Sequence, residues 1–463
     1  MEFRLPLEVA ALLERLQAQG HEAFVVGGCV RDALRGETPS DWDICTSALP
    51  EETIACFSDC TVHRTGIRHG TVLVLYQGAG YEITTYRTEG GYADHRHPDE
   101  VRFVRTLEED LSRRDFTINA MAYNPQAGLV DPFGGQADLR RGVIRCVGAP
   151  EERFREDALR ILRALRFAAK LGFAIDPETG TAMLRQQAGL DCIARERIFA
   201  ELKAFLCGAQ VLPLLLDYRE LLAQFLPELR PMFGHPQNNP HHCYDVWEHT
   251  AHAVAAVRQE PVLRLAMLFH DCGKPDCYTV DEDGVGHFHK HPQRSAELAE
   301  AALTRLHCDN RTKEDVVLLI AWHDRLHHVS RASVGRMLAA LGPRRAELLM
   351  EVIQADDRAK SPAYAQSDAR DLAEAKALLA QLLAEGFCLS RQDLNISGRE
   401  LMELGAFGPE IGRVLGQLLA EVQAEQLPNE AQALNRRAAE LLRSTKTVEI
   451  ESSPRCRIGK NQV

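Results

Sequence analysis

A short glycine-containing stretch near the start of the chain has residue types that suit phosphate binding. Residues 24–32 read FVVGGCVRD, an apolar run that ends in two glycines and is followed by Arg31. Gly27 and Gly28 would let the backbone turn tightly and bring N–H groups against a triphosphate, while Arg31 would add a planar fork of donors. Two glycines after a strand are usually an ordinary turn, so this stretch alone does not establish a phosphate site.

Carboxylates come next in the sequence DWD, at Asp41 and Asp43. We predict a strand over residues 43–46, and alternation would place both carboxylates on one face, where hard oxygen ligands suit Mg²⁺. Glu82, on an otherwise apolar strand predicted at 81–86, is a candidate third carboxylate that would accept or position the proton of an attacking hydroxyl. The order of these elements resembles the polymerase β-type nucleotidyltransferase superfamily and predicts nucleotidyl transfer.

Basic residues occur in two further motifs. RRDFTINA at 113–120 places two guanidiniums before a predicted helix start, and Arg114 is the candidate for contacting ribose or phosphate oxygens. The segment EDALRILRALR at 156–166 spaces charged side chains three residues apart, which predicts one helix face. The side chains on that face are Asp157, Arg160, Arg163 and Arg166.

The motifs between about residues 24 and 173 together resemble class II tRNA nucleotidyltransferases, the family of CCA-adding enzymes and bacterial poly(A) polymerases. The resemblance implies that Asp157 and Arg160 form a protein template for the incoming base. Their acceptor and donor match the amino group and ring nitrogen of cytosine and adenine, whereas uracil and guanine would leave buried groups unpaired. The charged stretch at 87–98 matches the family's flexible loop for switching from C to A. The resemblance also implies Mg²⁺ at Asp41 and Asp43 and nucleotide contacts from Gly28, Arg31, Arg114, Arg163 and Arg166.

A second constellation of histidines and aspartates lies in the C-terminal half, and its order resembles the HD phosphohydrolase superfamily. We assign His249, His270, Asp271 and Asp356 to one metal, with His291 and His323 available for a second. His242, His289 and Asp357 are alternatives. These ligand types suit Mg²⁺ or a divalent transition metal, whose activated water would hydrolyse phosphoester bonds while Lys274 steadies the phosphate. The resemblance implies phosphatase or 2′,3′-cyclic phosphodiesterase action, and a purely structural HD fold is the alternative.

The composition is that of a multidomain globular protein. The chain has 463 residues, of which 45% are hydrophobic, and its net charge of −12 disfavours indiscriminate nucleic-acid binding. No apolar run approaches about eighteen residues, so we expect a cytoplasmic protein without a membrane partner. Thirteen cysteines, an odd number without paired C-x-x-C motifs, are expected to be free thiols in a reducing compartment.

The secondary-structure signals predict an α+β protein with a polymerase β-type head followed by an all-helical neck, HD-type body and tail. Predicted elements of the head include a helix over 7–19 and strands at 24–26, 43–46, 71–76, 81–86 and 101–104. The predicted domains are the head at 1–145, a neck with the base-recognition helix at 146–210, the HD-type domain at 211–365, a tRNA-binding tail at 366–445 and a disordered end at 446–463.

The leading hypothesis is template-independent addition of C, C and A to tRNA from CTP and ATP, with a phosphohydrolase activity at the HD site. An A-adding enzyme and a bacterial poly(A) polymerase are alternatives within the family. From other classes, an HD-type nucleotide phosphohydrolase with a regulatory head and a non-catalytic RNA-binding protein are disfavoured by the complete set of head residues. The expected partners are tRNA and the two nucleotides, with no DNA, and the oligomeric state is left open.

Overall fold

The computed structural model of the chain describes residues 3–64, 66–90, 100–326 and 328–452. The chain divides into two compact units. The first unit comprises Met1–His235, Arg258–Leu265 and Leu298–Lys313, and the second comprises Pro236–Val257, Ala266–Glu297 and Glu314–Val463. The finer division into head, neck, HD-type domain and tail stays a prediction.

Strands are concentrated in the first part of the chain. They are β1 (Ala23–Val26), β2 (Ile44–Thr46), β3 (Thr61–His63), β4 (Thr71–Tyr76), β5 (Ala79–Thr85), β6 (Arg87–Gly90), β7 (Glu100–Phe103), β8 (Ala122–Asn124), β9 (Gly128–Val130), β10 (Val143–Ile144), β11 (Ala174–Ile175), β12 (Thr279–Val280) and β13 (Gly286–His287).

Helices are distributed along the described chain and dominate after residue 150. They are α1 (Leu7–Ala18), α2 (Gly28–Leu34), α3 (Pro50–Cys56), α4 (Leu107–Ser112), α5 (Gly135–Arg141), α6 (Pro150–Glu156), α7 (Leu159–Leu171), α8 (Pro177–Gln186), α9 (Arg195–Leu206), α10 (Val211–Asp217), α11 (Arg219–Phe225), α12 (Val246–Ala256), α13 (Pro261–Phe269), α14 (His291–Arg305), α15 (Asn310–Trp322), α16 (Arg331–Arg358), α17 (Ala365–Ala384), α18 (Gly398–Glu403), α19 (Pro409–Gln423) and α20 (Ala431–Ser452).

A seven-stranded mixed sheet forms the centre of the head, in the order β3-β4-β5-β2-β1-β8-β9. Its pairs are antiparallel except for β2 and β5, which run parallel with Ile44 opposite Ile83. The strands predicted at 71–76 and 81–86 are found as β4 and β5, which pair in an antiparallel hairpin. This parallel pair places the start of β2 beside the middle of β5.

Both faces of this sheet are covered, because successive side chains of β1 enter different cores. Val25 packs into the core formed with α1 and with inward residues of β4 and β5. Phe24 and Val26 pack into the opposite core with Tyr86 and Leu111. Burial of both faces fixes the register of the central strands, since a slip by one residue would exchange the two sets of side chains.

Five local predictions differ from the structure. β2 begins at Ile44, so Asp43 precedes the strand instead of opening it. Arg113 and Arg114 follow α4 and do not precede an α-helix; the next helical turn is a short 3₁₀ segment at Thr117–Asn119. The predicted helix through 156–166 is interrupted at Asp157, whose extended backbone separates α6 from α7.

The fourth difference concerns the predicted loop at 87–98. Its first residues form β6, which pairs with β7 in an antiparallel hairpin. Residues 91–99 lie outside the described part of the chain, as does Thr65. The helix α20 also extends through Ser452, into the end predicted to be disordered, and residues 453–463 are not described.

The second unit is helical apart from the two-stranded pair β12 and β13. The long helix α16 changes direction at Gly342, whose φ of 72° is non-helical and precedes Pro343. In the tail, Ser397 caps α18 by accepting a hydrogen bond from the Glu400 N–H.

Two bulk expectations can be compared with the described residues. The twelve cysteines among them are all free thiols, which confirms the expectation for these positions. Within the same residues, no helix has the length and apolarity needed to cross a membrane.

Candidate functional site

Two of the three candidate carboxylates of the head lie on or next to the adjoining central strands β2 and β5, and the third, Asp41, is two residues before Asp43. Asp41 and Asp43 are exposed, while Trp42 between them packs into the core. Because Ile44 is opposite Ile83 in a parallel pair, Asp43 stands opposite Glu82 one step earlier along both chains. Although Asp43 is solvent-accessible, surrounding protein atoms partly desolvate its carboxylate, and this desolvation together with the negative charges of Asp41 and Glu82 raises its pKa, while Arg114 opposes the shift. Such a group of oxygen ligands suits a hard divalent cation.

The glycine turn between β1 and α2 is closely bordered by two guanidiniums. Gly27 has a φ of 84°, which favours glycine, and a Cβ there would lie 3.0 Å from Nη1 of Arg114. A Cβ on Gly28 would lie 3.6 Å from Nη2 of Arg31. The absence of side chains at the turn therefore leaves room for both arginines beside its backbone.

A chain of hydrogen bonds links Arg31 to Arg163 through two residues that our sequence analysis did not single out. Arg31 Nη1 donates to Asn119 Oδ1 (2.6 Å), and Asn119 Nδ2 donates to Asp115 Oδ1 (3.1 Å). Arg163 Nε and Nη2 donate to Asp115 Oδ2 at 2.8 and 2.6 Å. Burial alone would raise the pKa of Asp115, but Arg163 and Asn119 lower it to about 2. The RRDFTIN motif contained both missed residues, although nothing local identified their partner on α7.

The proposed base-reading residues each contact protein groups. Asp157 accepts hydrogen bonds from the Leu159 N–H (3.0 Å) and from Arg197 (3.2 Å). Arg160 is buried and donates to Glu156 (2.7 Å) and to the carbonyl of Arg113 (2.9 Å). The structure therefore brings Asp157 and Arg160 to the break between α6 and α7 without a side-chain hydrogen bond between them. Arg166, two turns further, pairs with Glu201 (2.9 Å).

The second unit brings six of the predicted metal ligands together from five helical regions. His249 is on α12, His270 and Asp271 follow α13, His291 begins α14, His323 follows α15 and Asp356 lies on α16. They form two groups that share Asp271. One group is His249, His270, Asp271 and Asp356, and the other is Asp271, His291 and His323.

Short distances between the ring nitrogens mark the centre of each group. Nε2 of His249 lies 3.2 Å from Nε2 of His270 and 2.9 Å from Oδ1 of Asp356. Nε2 of His291 lies 3.3 Å from Nε2 of His323 and 3.4 Å from Oδ1 of Asp271. The two carboxylate oxygens of Asp271 thus face different groups.

The other ring nitrogens of these four histidines face backbone carbonyls. Nδ1 of His270 and of His323 lies 2.7 Å from the carbonyl of the residue three positions earlier, and Nδ1 of His291 has the same arrangement at 2.9 Å. Nδ1 of His249 faces the Ala359 carbonyl at 3.2 Å. A carbonyl can only accept, so Nδ1 of each ring carries a proton, while Nε2 points inward and offers a lone pair once it is deprotonated.

Ring nitrogens and carboxylate oxygens that converge in this way fit a bound cation. Burial alone would lower the pKa of His270, but Asp271 and Asp356 outweigh it and raise that pKa to about 10, so a metal bound there would displace a proton from the ring. Burial instead lowers the pKa of His323 to about 3. The donor set is that of a divalent metal site with one shared carboxylate.

Lysines hold the carboxylates from the side and border an adjoining cavity of about 620 Å³. Lys274 Nζ lies 2.7 Å from Asp271 Oδ2, and Lys360 Nζ lies 2.9 Å from Asp356 Oδ2. Lys290 and Arg325 add positive charge to the cavity wall. A cavity with cationic walls beside a metal site suits a phosphate-bearing substrate.

The alternative ligands are placed differently. The His242 ring packs against the His249 ring with centroids 5.1 Å apart, His289 is exposed, and Asp357 pairs with Lys360 (2.9 Å). Among the described residues, none of these three belongs to either ligand group.

Three family descriptions match successive parts of the chain. "Poly A polymerase head domain" matches residues 23–145, "Probable RNA and SrmB- binding site of polymerase A" matches 172–233, and "HD domain" matches 241–362. The crystal structure of the Bacillus stearothermophilus CCA-adding enzyme in complex with CTP is 30% identical, covers 96% of this chain and 98% of its own, and has a TM-score of 0.70. The chain belongs to the CCA-adding enzyme family.

Curated members of the CCA-adding enzyme family match the chain over a shorter length. The CCA-adding enzyme of Geobacillus kaustophilus is 49% identical over 46% of this chain and 53% of its own length. That of Limosilactobacillus fermentum is 54% identical over 43% of this chain and 50% of its own. The chain therefore spans about half the length of the curated relatives it matches, and the α+β fold with its polymerase-type head and HD-type domain agrees with the family match.

Proposed function

We propose that this chain adds C, C and A to the 3′ end of tRNA, using CTP and ATP with Mg²⁺. The observation that carries the proposal is that Asp43 lies beside the end of β1, since the Val26 N–H donates to its carbonyl (3.0 Å), and that the charges of Asp41 and Glu82 act on its carboxylate. Asp41 and Asp43 would hold Mg²⁺, which lowers the pKa of the attacking hydroxyl and neutralises charge on the leaving pyrophosphate. Glu82 would orient that hydroxyl and receive its proton.

The remaining head residues select and position the nucleotide. Gly28 and Arg31 would contact its phosphates at the turn, and Arg114 would reach phosphate or ribose oxygens from above Gly27. Asp157 and Arg160 would exchange their present protein partners for the amino group and ring nitrogen of C or A. U and G would leave both side chains without matching partners, which is the proposed basis of selection.

The test uses three tRNA transcripts that end before CCA, after C and after CC, with CTP and ATP supplied singly and together. Addition of C, C and then A, followed by arrest, supports the proposal. Addition of A to the CC end alone would indicate an A-adding enzyme, and a long A tail a poly(A) polymerase. No addition to any transcript would overturn the proposal.

We also propose that the HD-type centre hydrolyses phosphate esters, including 2′,3′-cyclic or terminal phosphates at RNA 3′ ends. The supporting observation is the inward-facing set of acceptors beside a cationic cavity. The six ligands would hold Mg²⁺ or a divalent transition metal, which supplies an activated water, and Lys274 would steady the phosphate. Water adds across the P–O bond and the alcohol leaves. An Asp271→Ala variant should lose this hydrolysis and retain addition of C and A, and unchanged hydrolysis would overturn the assignment.

A further inference from the structure

One aromatic ring in the head lies against three of the arginines assigned to the nucleotide pocket. Phe167 on α7 is only 7% exposed. The guanidinium carbons of Arg31, Arg163 and Arg166 lie over it, at 5.2, 5.4 and 4.5 Å from the ring centroid. Cations at this distance over a ring face are attracted by its quadrupole, and more strongly where water is excluded.

Three guanidiniums around one ring repel one another because they carry the same charge. Burial first, and then the charges of Arg163 and Arg31, lower the pKa of Arg166. Acceptors on the outside of the cluster reduce the repulsion, because Arg163 pairs with Asp115 and Arg166 with Glu201. The ring supplies an attraction common to all three without using a hydrogen-bond donor.

The cluster also keeps a hydrogen-bond donor of Arg31 available on the side of the glycine turn. Arg31 uses Nε for Asp32 and Nη1 for Asn119. Its Nη2 lies beside Gly28, and no residue in the described ranges accepts a hydrogen bond from it. The cluster thus holds positive charge and a free donor at the place where phosphates would approach.

We propose that Phe167 is a positioning residue for the β- and γ-phosphates of the incoming nucleotide, because its ring holds the guanidiniums of Arg31, Arg163 and Arg166 side by side. This inference rests on the proposed nucleotide binding at the head. Phe167 touches no substrate in this account and acts through the arginines. Its removal should weaken binding according to the number of phosphates that the nucleotide carries.

The test is equilibrium binding of CTP and CMP, with Mg²⁺, to the full chain. Phe167→Leu keeps apolar volume but removes the ring, and it should weaken CTP binding about tenfold, the size of a desolvated cation–π contact. CMP lacks the β- and γ-phosphates, so its affinity should change by no more than about twofold. Phe167→Tyr retains the ring and should restore CTP binding. A role in packing alone would weaken CTP and CMP binding equally.

Phe199→Leu is the matched control. Phe199 is 4% exposed on α9 of the same unit and has Lys203 Nζ 4.6 Å from its ring centroid, but it contacts none of the three arginines through a cation–π arrangement. It should lose thermal stability like Phe167→Leu while keeping the wild-type ratio of CTP to CMP affinity.

Three results would overturn the inference: wild-type CTP affinity in Phe167→Leu, equal losses for both nucleotides, or no rescue by tyrosine. Failure of the proposed function looks different. A wild-type chain that binds CTP but adds nothing to tRNA contradicts the proposed function and still allows this test, whereas a wild-type chain that binds no CTP contradicts both.

Discussion

The two candidate sites arrange similar metal ligands in opposite ways. In the head, Asp41, Asp43 and Glu82 are exposed carboxylates. In the second unit, the ligands are buried, and the four histidine rings are oriented by backbone carbonyls. Exposed carboxylates suit Mg²⁺ that arrives and leaves with a nucleotide, whereas buried ligands with fixed orientations suit a metal that stays bound.

The comparison also separates how the two sites handle phosphate. The head surrounds a glycine turn with arginines, whose planar donors can contact several phosphate oxygens at once. The HD-type centre uses lysines, which pair with the metal-facing carboxylates and leave their remaining donors to the cavity. The first arrangement favours a triphosphate, and the second a single phosphoryl group next to a metal.

The largest expected effect tests whether Glu82, the third carboxylate of the head, takes part in nucleotide addition. Glu82→Gln keeps the shape of the side chain but removes the proton acceptor opposite Asp43, so nucleotide addition should fall by about 10²- to 10⁴-fold. The measurement is single-turnover addition of C to a tRNA transcript lacking CCA. Glu51→Gln, an exposed carboxylate on α3, should leave that rate unchanged, and a wild-type rate in Glu82→Gln would show that the third carboxylate is not used.

Metal retention tests whether the buried HD-type centre keeps its metal while the exposed carboxylates of the head do not. After gel filtration without nucleotide, elemental analysis should find one to two metal ions per chain, held by the two ligand groups that share Asp271. Asp271→Asn should lower that content strongly because it alters a ligand to both groups. Asp43→Asn should leave the content unchanged. Equal losses in the two variants, or no retained metal in the wild type, would contradict the distinction.

A glycine substitution distinguishes the effect of backbone strain on stability from the effect of a displaced Arg114 on CTP binding. Gly27→Ala introduces a Cβ at a φ of 84° and 3.0 Å from Arg114 Nη1, so it should cost about 1 kcal/mol of stability and weaken CTP binding several-fold. Gly36→Ala has a similar φ of 78° but meets nothing within 4 Å. It should show the stability loss with unchanged CTP affinity. Equal effects on binding would remove the special role of Gly27.

Acid sensitivity is a separate prediction and concerns Asp115, the buried carboxylate that pairs with Arg163 in the head. Asp115 has its pKa lowered to about 2, so its charge adds stability above the ordinary pKa near 4, and that stability is lost as pH falls toward 2. The contribution is about 2 kcal/mol. Thermal unfolding of Asp115→Asn should therefore show its largest deficit at pH 7 and a shrinking deficit below pH 4.

The control for that experiment is Asp59→Asn. Asp59 is a surface carboxylate that pairs with Arg15, and exposed pairs contribute little to stability. Its deficit should be undetectable across the same pH range. A pH-independent deficit in Asp115→Asn would show that the hydrogen bonds, and not the charge, provide the stabilisation.

Much of the head was predictable because its signals are local. Short runs rich in β-branched and aromatic residues predicted the strands found as β4 and β5. The break at Asp157 was not predictable, because a spacing of three residues looks the same whether one helix or two carry it. The start of β2 at Ile44 shows the usual uncertainty of element ends.

The side-chain orientation of the sites depended on contacts between distant residues. The order of histidines and aspartates indicated which residues could bind metal, but the carbonyl that orients His249 belongs to Ala359, over a hundred residues later. The link from Arg31 through Asn119 and Asp115 to Arg163 likewise joins α2 to α7. Residue types identify candidate metal ligands, but only the folded chain shows which ring nitrogen of each histidine faces the metal site.

The most direct test of two separate centres is to measure both activities in Asp43→Asn and Asp271→Asn. The substrates are a tRNA transcript lacking CCA, with CTP and ATP, and an RNA ending in a 2′,3′-cyclic phosphate. The account predicts that Asp43→Asn loses nucleotide addition and keeps hydrolysis, and that Asp271→Asn does the reverse. An Asp43→Asn protein that still adds C, C and A at the wild-type rate would contradict it.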